Sequence, residues 1–309
     1  MARGRRTGSI HGRRFAILPG DRLKVHCLTN TCMRIFPVLF LILFLSAGCG
    51  GDDGPFNNPP GYDLSRPTVI KLPLELDEIS GLTFYKKDSA LFGITDELGL
   101  LYKITPGTQT RVNKWKFGEA ADYEEVVLVD STFYVLESSG RISTVKFASS
   151  GAAIRKDYDF PYGGKNEFES LYYDSVGRKL VMVCKDCEAD KKKRLSTYTI
   201  DPVTMEYSDQ SFGINIDELA RKMKTDIFRF KPSAANQHPL TGDIYIISAI
   251  NQILLVTDRA GKIKEFYPLD GGLFKQPEGL CFNHEGKMVI SNEAADVGTA
   301  NILIYEFKK

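Results

Sequence analysis

The chain has 309 residues, 43% hydrophobic and 26% charged, an ordinary globular composition that excludes wholesale disorder and collagen-like or coiled-coil repeats. Its 40 Lys and Arg nearly balance its 39 Asp and Glu at a net charge of +1, so no basic excess points to nucleic acid. Aromatic residues make up 11%, with 19 Phe and 14 Tyr, a bias toward strands over helices.

The charge is unevenly placed. Residues 1–48 hold eight basic residues and one acid, Asp21; removing them leaves 32 basic and 38 acidic residues, a net charge of −6 from Cys49 onward. Residues 1–32 are polar, basic and aperiodic, and Met33 makes a better start than Met1, so 1–32 reads as a mis-assigned extension. Arg34 precedes an apolar run at 35–45. That run is too short to cross a bilayer, which takes about 20 apolar residues. A charged start, a short apolar core and the small residues Ser46, Ala47, Gly48 and Cys49 make 33–48 a secretory signal. Its end resembles a bacterial lipobox, in which the cysteine, here Cys49, is lipidated and becomes the mature N-terminus. Ser46 stands where Leu is usual, with Leu45 beside it. A plain cleaved signal and an uncleaved anchor are the alternatives.

Residues 49–65 are rich in Gly, Pro, Asn and Asp and read as a flexible tether. Acyl chains on Cys49, at ~0.8 kcal/mol per buried methylene, anchor such a protein to a membrane. The expected location is therefore the cell envelope, as a membrane-anchored lipoprotein, the outer membrane in preference to the plasma membrane.

From Arg66 on, one short pattern recurs: a polar or acidic residue, any residue, Glu or Ser, a mostly small residue, then an apolar strand. It reads Glu78-Ile79-Ser80-Gly81-Leu82, Asp122-Tyr123-Glu124-Glu125-Val126, Glu167-Phe168-Glu169-Ser170-Leu171, a weaker Lys231-Pro232-Ser233-Ala234-Ala235, and Gln276-Pro277-Glu278-Gly279-Leu280. The steps between third positions are 44, 45, 64 and 45 residues. A step of this size is one four-stranded propeller blade. Within the first step, strands are predicted at 82–85, 90–95, 100–105 and 110–117, separated by turn residues. After the fifth motif only three remain, at 280–282, 287–291 and 301–307, and a strand at 68–72 supplies the fourth.

The long step holds an insertion. It contains a Lys-rich hairpin at 188–194 and a short helix at 215–223, with Asn215 or Asp217 as cap and basic residues in its last turn. The predicted fold is all-β: a five-bladed propeller over 66–309, four-stranded blades, an N-terminal strand completing the last blade, and one inserted helix.

These motifs, with Asp-Glu-Leu-Gly-Leu-Leu-Tyr at 96–102 and His-Pro-x-Thr-Gly at 238–242, resemble the SdiA-regulated family of bacterial envelope proteins over roughly 70–307. The resemblance implies a five-bladed propeller, distantly similar to NHL-repeat propellers, with a calcium site and no established enzymatic activity. Glu125 and Ser170 depart from it, standing where glycine is typical.

In a propeller the motif, just before the innermost strand, gathers at one mouth of the central channel. Glu124, Glu169 and Glu278 then come from three blades, with Ser80 and Ser233 at the equivalent places and Asp122, Glu167 and Glu78 two residues earlier on the same side. Converging carboxylates repel and need protons, a cation or water between them. A hard divalent ion takes six to eight oxygens, and the absence of clustered imidazole or thiolate favours calcium over zinc. The expected affinity is weak, on the order of 10⁻⁴–10⁻³ M. The bland alternative is that these acids bond backbone amides and bind no metal. The second-strand ends Asp96-Glu97, Glu137-Ser138, Lys185-Asp186 and Asn292-Glu293 supply another polar ring, either a ligand-binding face or solvated turns.

Cys184-Lys185-Asp186-Cys187 looks like a redox or metal pair; a zinc site lacks its second ligand pair and a redox site lacks a following helix, and in an oxidising envelope a local disulfide is a further option, so whether the two are bonded stays open. Cys281 reads as core. His238 and His284 fall in outer turns, so no triad or metal-hydrolase constellation is complete. The leading function is a lipid-anchored binding or scaffold protein with a calcium site, facing a small-molecule, glycan or protein ligand. The alternatives are a calcium-dependent phosphoesterase or esterase, and a lectin-like glycan receptor.

Overall fold

A computed structural model describes residues 57–107, 109–208, 212–225, 229–294 and 298–308. The extension 1–32, the signal 33–48 and Cys49 lie outside the described residues.

The first strand, β1 (Thr68–Lys71), does not pair with its neighbours in sequence but with the last strand of the chain. The first full sheet follows as β2 (Ile79–Tyr85), β3 (Ala90–Thr95), β4 (Leu100–Thr105) and β5 (Arg111–Lys116), hydrogen-bonded in that order. The second is β6 (Tyr123–Val129), β7 (Thr132–Glu137), β8 (Ile142–Phe147) and β9 (Ala153–Tyr158). The third is β10 (Asn166–Asp174), β11 (Lys179–Cys187), β12 (Arg194–Ile200) and β13 (Tyr207–Ser208), with β14 (Gly213–Asn215) also on β12. The fourth is β15 (Ala234–Gln237), β16 (Ile244–Ser248), β17 (Ile253–Thr257) and β18 (Ile263–Pro268). The fifth is β19 (Pro277–Phe282), β20 (Met288–Asn292) and β21 (Asn301–Tyr305), with β1 outside β21, Thr68 opposite Ile304 and Lys71 opposite Asn301.

The inner strands β2, β6, β10, β15 and β19 pack each on the next, and β19 packs on β2. The chain is a five-bladed propeller. Burial grades along each blade: every residue of β3 is buried, whereas β5 has none fully buried. That gradient is why the second strands read as near-continuous apolar runs and the outer ones as alternating. Cys281 is buried in β19, and Trp115 lies on the outer strand β5, against Phe92 and Phe147.

Two expected boundaries move. The motif is not ahead of the inner strand but within it, except in the fourth blade, where Ser233 precedes β15. The reason is a β-bulge, which lets pairing continue past a polar residue that leaves the ladder. The extra length of the third step follows β13, as β14 and the helix α1 (Ile216–Lys222). Asn215 caps α1, its side-chain oxygen accepting from the Glu218 N–H at 3.0 Å. Ile216 and Leu219 bury one face of α1 in the apolar cluster shared by the third and fourth blades.

The tether expected at 49–65 ends earlier than its composition suggests. Tyr62 and Leu64 are buried in one cluster with Tyr245, Leu280 and Tyr305. The Tyr62 hydroxyl donates to the Gly286 carbonyl and lies 2.9 Å from His238 Nε2. His238 is fully buried, not on the surface of its turn. Its Nδ1 accepts from the Thr241 and Leu240 N–H groups at 3.1 and 3.3 Å, so the proton resides on Nε2, facing Tyr62. Burial lowers the His238 pKa, which keeps the ring neutral.

Truncating Tyr62 to alanine removes a buried ring and leaves His238 without its partner. We expect Tyr62→Ala to lower the unfolding free energy by roughly 3–5 kcal/mol in urea denaturation, whereas a surface tether would leave the midpoint unchanged.

Candidate functional site

Each inner strand runs antiparallel to the second strand of its blade, so the start of one lies beside the end of the other. The two polar rings expected from the sequence therefore meet at one channel mouth. Around a cavity of about 280 Å³ stand Ser80, Asp122, Glu124, Glu167, Glu169, Ser233 and Glu278 from the inner strands or their approaches. From the ends of the second strands come Asp96, Ser138, Lys185 and Glu293. Glu78, expected in this ring, is exposed and does not line the cavity; its charge still raises the pKa of Asp96 and Glu293.

The bulges explain the aim of the glutamates. In the second blade Tyr123 pairs with Glu137 and Glu125 with Leu136, leaving Glu124 outside the ladder. In the third, Phe168 pairs with Cys184 and Ser170 with Val183, leaving out Glu169. In the fifth, Pro277 pairs with Asn292 and Gly279 with Ser291, leaving out Glu278. Backbone bonds between blades brace the same level: the Tyr123 N–H donates to the Asp96 carbonyl at 2.7 Å and the Phe168 N–H to the Ser138 carbonyl at 2.9 Å. Ser233 is committed likewise, its hydroxyl donating to the Pro277 carbonyl at 2.6 Å.

The mouth holds seven carboxyl groups and one ammonium group, that of Lys185. Burial first, then the neighbouring charge of Asp122, pushes the Glu124 carboxyl up to about 8. Burial and Glu293 push Glu278 up to about 7, and burial with Glu78 pushes Asp96 up to about 6. Lys185 opposes the rise at Glu124 and Glu278. Its Nζ lies 3.0 Å from Glu167 Oε1 and also contacts Glu169. The sequence places Lys185 in the polar ring of second-strand ends but does not show its pairing with Glu167 and Glu169.

The donor set suits a hard cation. It consists of carboxylate and hydroxyl oxygens with no imidazole or thiolate, and the buried Asp96 Oδ1 has no hydrogen-bond partner. Among the described residues, the three potential ligands found within 4.8 Å of one another are Cys184, Cys187 and Asp190, so no three acids of the mouth converge that closely. Cys184 and Cys187, whose bonding the sequence left open, form a disulfide and so are not ligands. A cavity of about 280 Å³ has room for several waters beside an ion, so an ion there would keep water or ligand oxygens in part of its shell.

A family model described as SdiA-regulated matches residues 68–296. No curated protein matches the chain. Among solved structures, glutaminyl cyclase from Myxococcus xanthus is similar at 13% identity and TM-score 0.51, over 78% of this chain and 97% of that one. A PQQ-bound aldose sugar dehydrogenase from Streptomyces coelicolor aligns at 11% identity and TM-score 0.49, over 81% and 100% of the chains. The calcium-binding protein regucalcin from Agrobacterium tumefaciens aligns at 12% identity and TM-score 0.43, over 80% and 95%. At these identities the likeness is one of fold.

A carboxyl whose folded pKa lies above its unfolded value binds its proton more tightly in the folded state. Its stabilising contribution is present below the unfolded pKa and is lost as pH rises through the folded one. With folded values of about 6, 7 and 8 for Asp96, Glu278 and Glu124, the chelator-treated protein should lose stability from about pH 4 to pH 8. Thermal melts in chelator should give a higher Tm at pH 5.5 than at pH 8.5, and Glu124→Gln should raise the value at pH 8.5. A flat profile would show that the mouth is already neutralised.

Proposed function

The chain belongs to the SdiA-regulated family, and on that premise we propose that it is a non-enzymatic, lipid-anchored envelope protein whose channel mouth holds a calcium ion and presents it to a ligand. The observation that carries this reading is the crowding of seven carboxyl groups against one ammonium group in a single cavity. Crowding of this kind is relieved by protons or by a divalent ion. At neutral pH the raised pKa values of Glu124 and Glu278 mark those two as the carboxyls that still hold protons for an ion to displace.

Glu124, Glu278 and Asp96 would supply the central oxygens, with Glu293 and Asp122 beside them and Glu169 and Glu167 on the side of Lys185. The ligand would complete the coordination shell from the open side. Either a free anion or an anionic group of a glycan or protein has the chemistry to do so. The cysteine at 49 supports envelope anchoring, and the outer membrane is the proposed location.

Isothermal titration with calcium chloride should show binding with a Kd on the order of 10⁻⁴–10⁻³ M. Affinity should rise from pH 6 to pH 8 because the ion displaces protons. Glu124→Gln with Glu278→Gln should abolish both the heat and the calcium-dependent rise in Tm. Absence of heat from the unmodified protein would overturn the calcium reading. Calcium-dependent hydrolysis of phosphomonoesters or p-nitrophenyl esters would replace the binding reading with the hydrolase alternative.

The anchor has a separate test. Cys49→Ser should lose incorporation of labelled fatty acid and move the protein from the membrane fraction to the soluble one. Unchanged labelling would remove Cys49 from the account.

A further inference from the structure

We infer that Lys185 is a built-in counter-ion that divides the mouth in two, its ammonium group filling one cation subsite between Glu167 and Glu169 and leaving the other, beside Asp96, Glu124 and Glu278, for the divalent ion. The inference rests on the reading of the mouth as a cation site, and deepens it by naming the residue that sets how many ions enter.

Three observations converge on Lys185. The first is register. Glu167 pairs with Asp186 and Phe168 with Cys184, so Lys185 is left outside the ladder on β11, facing Glu169, which is left outside on β10. Two bulges on facing strands turn two opposite charges out of one ladder into one cavity. The second is covalent. The Cys184–Cys187 disulfide, with Cα atoms 6.0 Å apart, closes across Lys185 and Asp186. Cys184 is fully buried in the core of the third blade, so the backbone carrying the lysine is pinned from below. The third is the pairing itself. Lys185 is only 16% exposed and meets both Glu167 and Glu169. Its neighbour Asp186 is turned to Arg229 and Lys231, at 3.0 and 3.4 Å, so it does not compete for the ammonium group.

The second-strand ends of the first, second and fifth blades bring Asp96, Ser138 and Glu293 to the cavity. The third blade brings the opposite charge. A lysine ammonium is a compact cation with three donors, enough for two carboxylates. It holds those two oxygen groups permanently, without ion uptake.

The test uses the mature chain and three variants, melted in chelator at pH 8 and titrated with calcium chloride. In chelator, Lys185→Gln should melt lower by roughly 4 °C or more, because two carboxylates lose their cation, and Lys185→Arg should keep the original value. In the titration, Lys185→Gln should bind two calcium ions per chain where the unmodified protein binds one. If Lys185→Gln does not fold, adding Glu169→Gln should restore folding, and failure to do so overturns the inference. Unchanged melting and an unchanged ion count also overturn it, while one ion bound to the unmodified protein leaves the calcium reading standing. Conversely, a lower melting point and ion uptake by Lys185→Gln alone would support the counter-ion and overturn the calcium reading of the unmodified protein.

Discussion

An unbroken antiparallel ladder sends successive side chains to opposite faces, and a residue added by a bulge is the one that leaves it. In the second, third and fifth blades that residue is Glu124, Glu169 and Glu278, and on the facing strand of the third blade it is Lys185. The displaced residue lies near the start of the inner strand, where five blades approach their common axis. Local backbone irregularity and radial repetition together place charged groups where neither would alone. The apolar residues on either side, such as Tyr123 and Val126 or Phe168 and Leu171, remain buried. The core is thereby kept intact while the charge is turned out of it.

The residue after each bulge faces a neighbouring blade, which explains the small residues there. A Cβ on Gly81 would collide with the Glu125 carboxyl, and one on Gly279 with Ser291 and the Ser80 carbonyl. The second blade breaks the pattern with Glu125, which is almost fully buried and uses the space that Gly81 leaves. Its Oε1 accepts from the Val126 N–H at 2.9 Å, but Oε2 has no partner. Burial raises its pKa well above the ordinary carboxyl value, which favours the neutral form. Ser170, at the same position in the third blade, buries a hydroxyl that also has no partner. An unsatisfied buried polar group costs about 1–3 kcal/mol, so at these two sites the ring departs from an apolar interface at a cost.

Periodic features were legible in the sequence. The step near 45 residues gave the blade count, Asn215, one of two caps the sequence offered, starts α1, and β3 and β4 fall at the predicted bounds. The convergence of Glu124, Glu169 and Glu278 followed from the same repeat. What repetition does not encode was illegible. Lys185 sits in an ordinary strand-end sequence, and only the register of β10 against β11 turns it toward Glu169. Tyr62 lies among Gly, Pro and Asn, where composition indicates a tether, yet its contacts are with Gly286 and His238, more than 170 residues away. His238 reads as a turn residue because it is one; its burial comes from the N-terminal segment laid over that turn.

The same placement bears on the choice between binding and hydrolysis. His238 has both ring nitrogens engaged in a packed cluster, and His284 is exposed in a turn between β19 and β20. Neither lines the mouth, whose side chains are carboxyls, hydroxyls and one amine. Of the hydroxyls, that of Ser233 is bonded to a backbone carbonyl, with no base poised to activate it. The amine is bound by two carboxylates. The carboxyl groups with unspent chemistry include Glu124 and Glu278, which hold protons near neutral pH, and Asp96, whose Oδ1 has no partner. Once their protons are displaced, oxygens of that kind can contribute to the shell of a hard ion, whereas hydrolysis would need them also to position and activate a water. Carboxyl oxygens at the mouth, with no imidazole or thiolate among its lining side chains, are thus the chemistry from which the proposed ion-mediated binding starts.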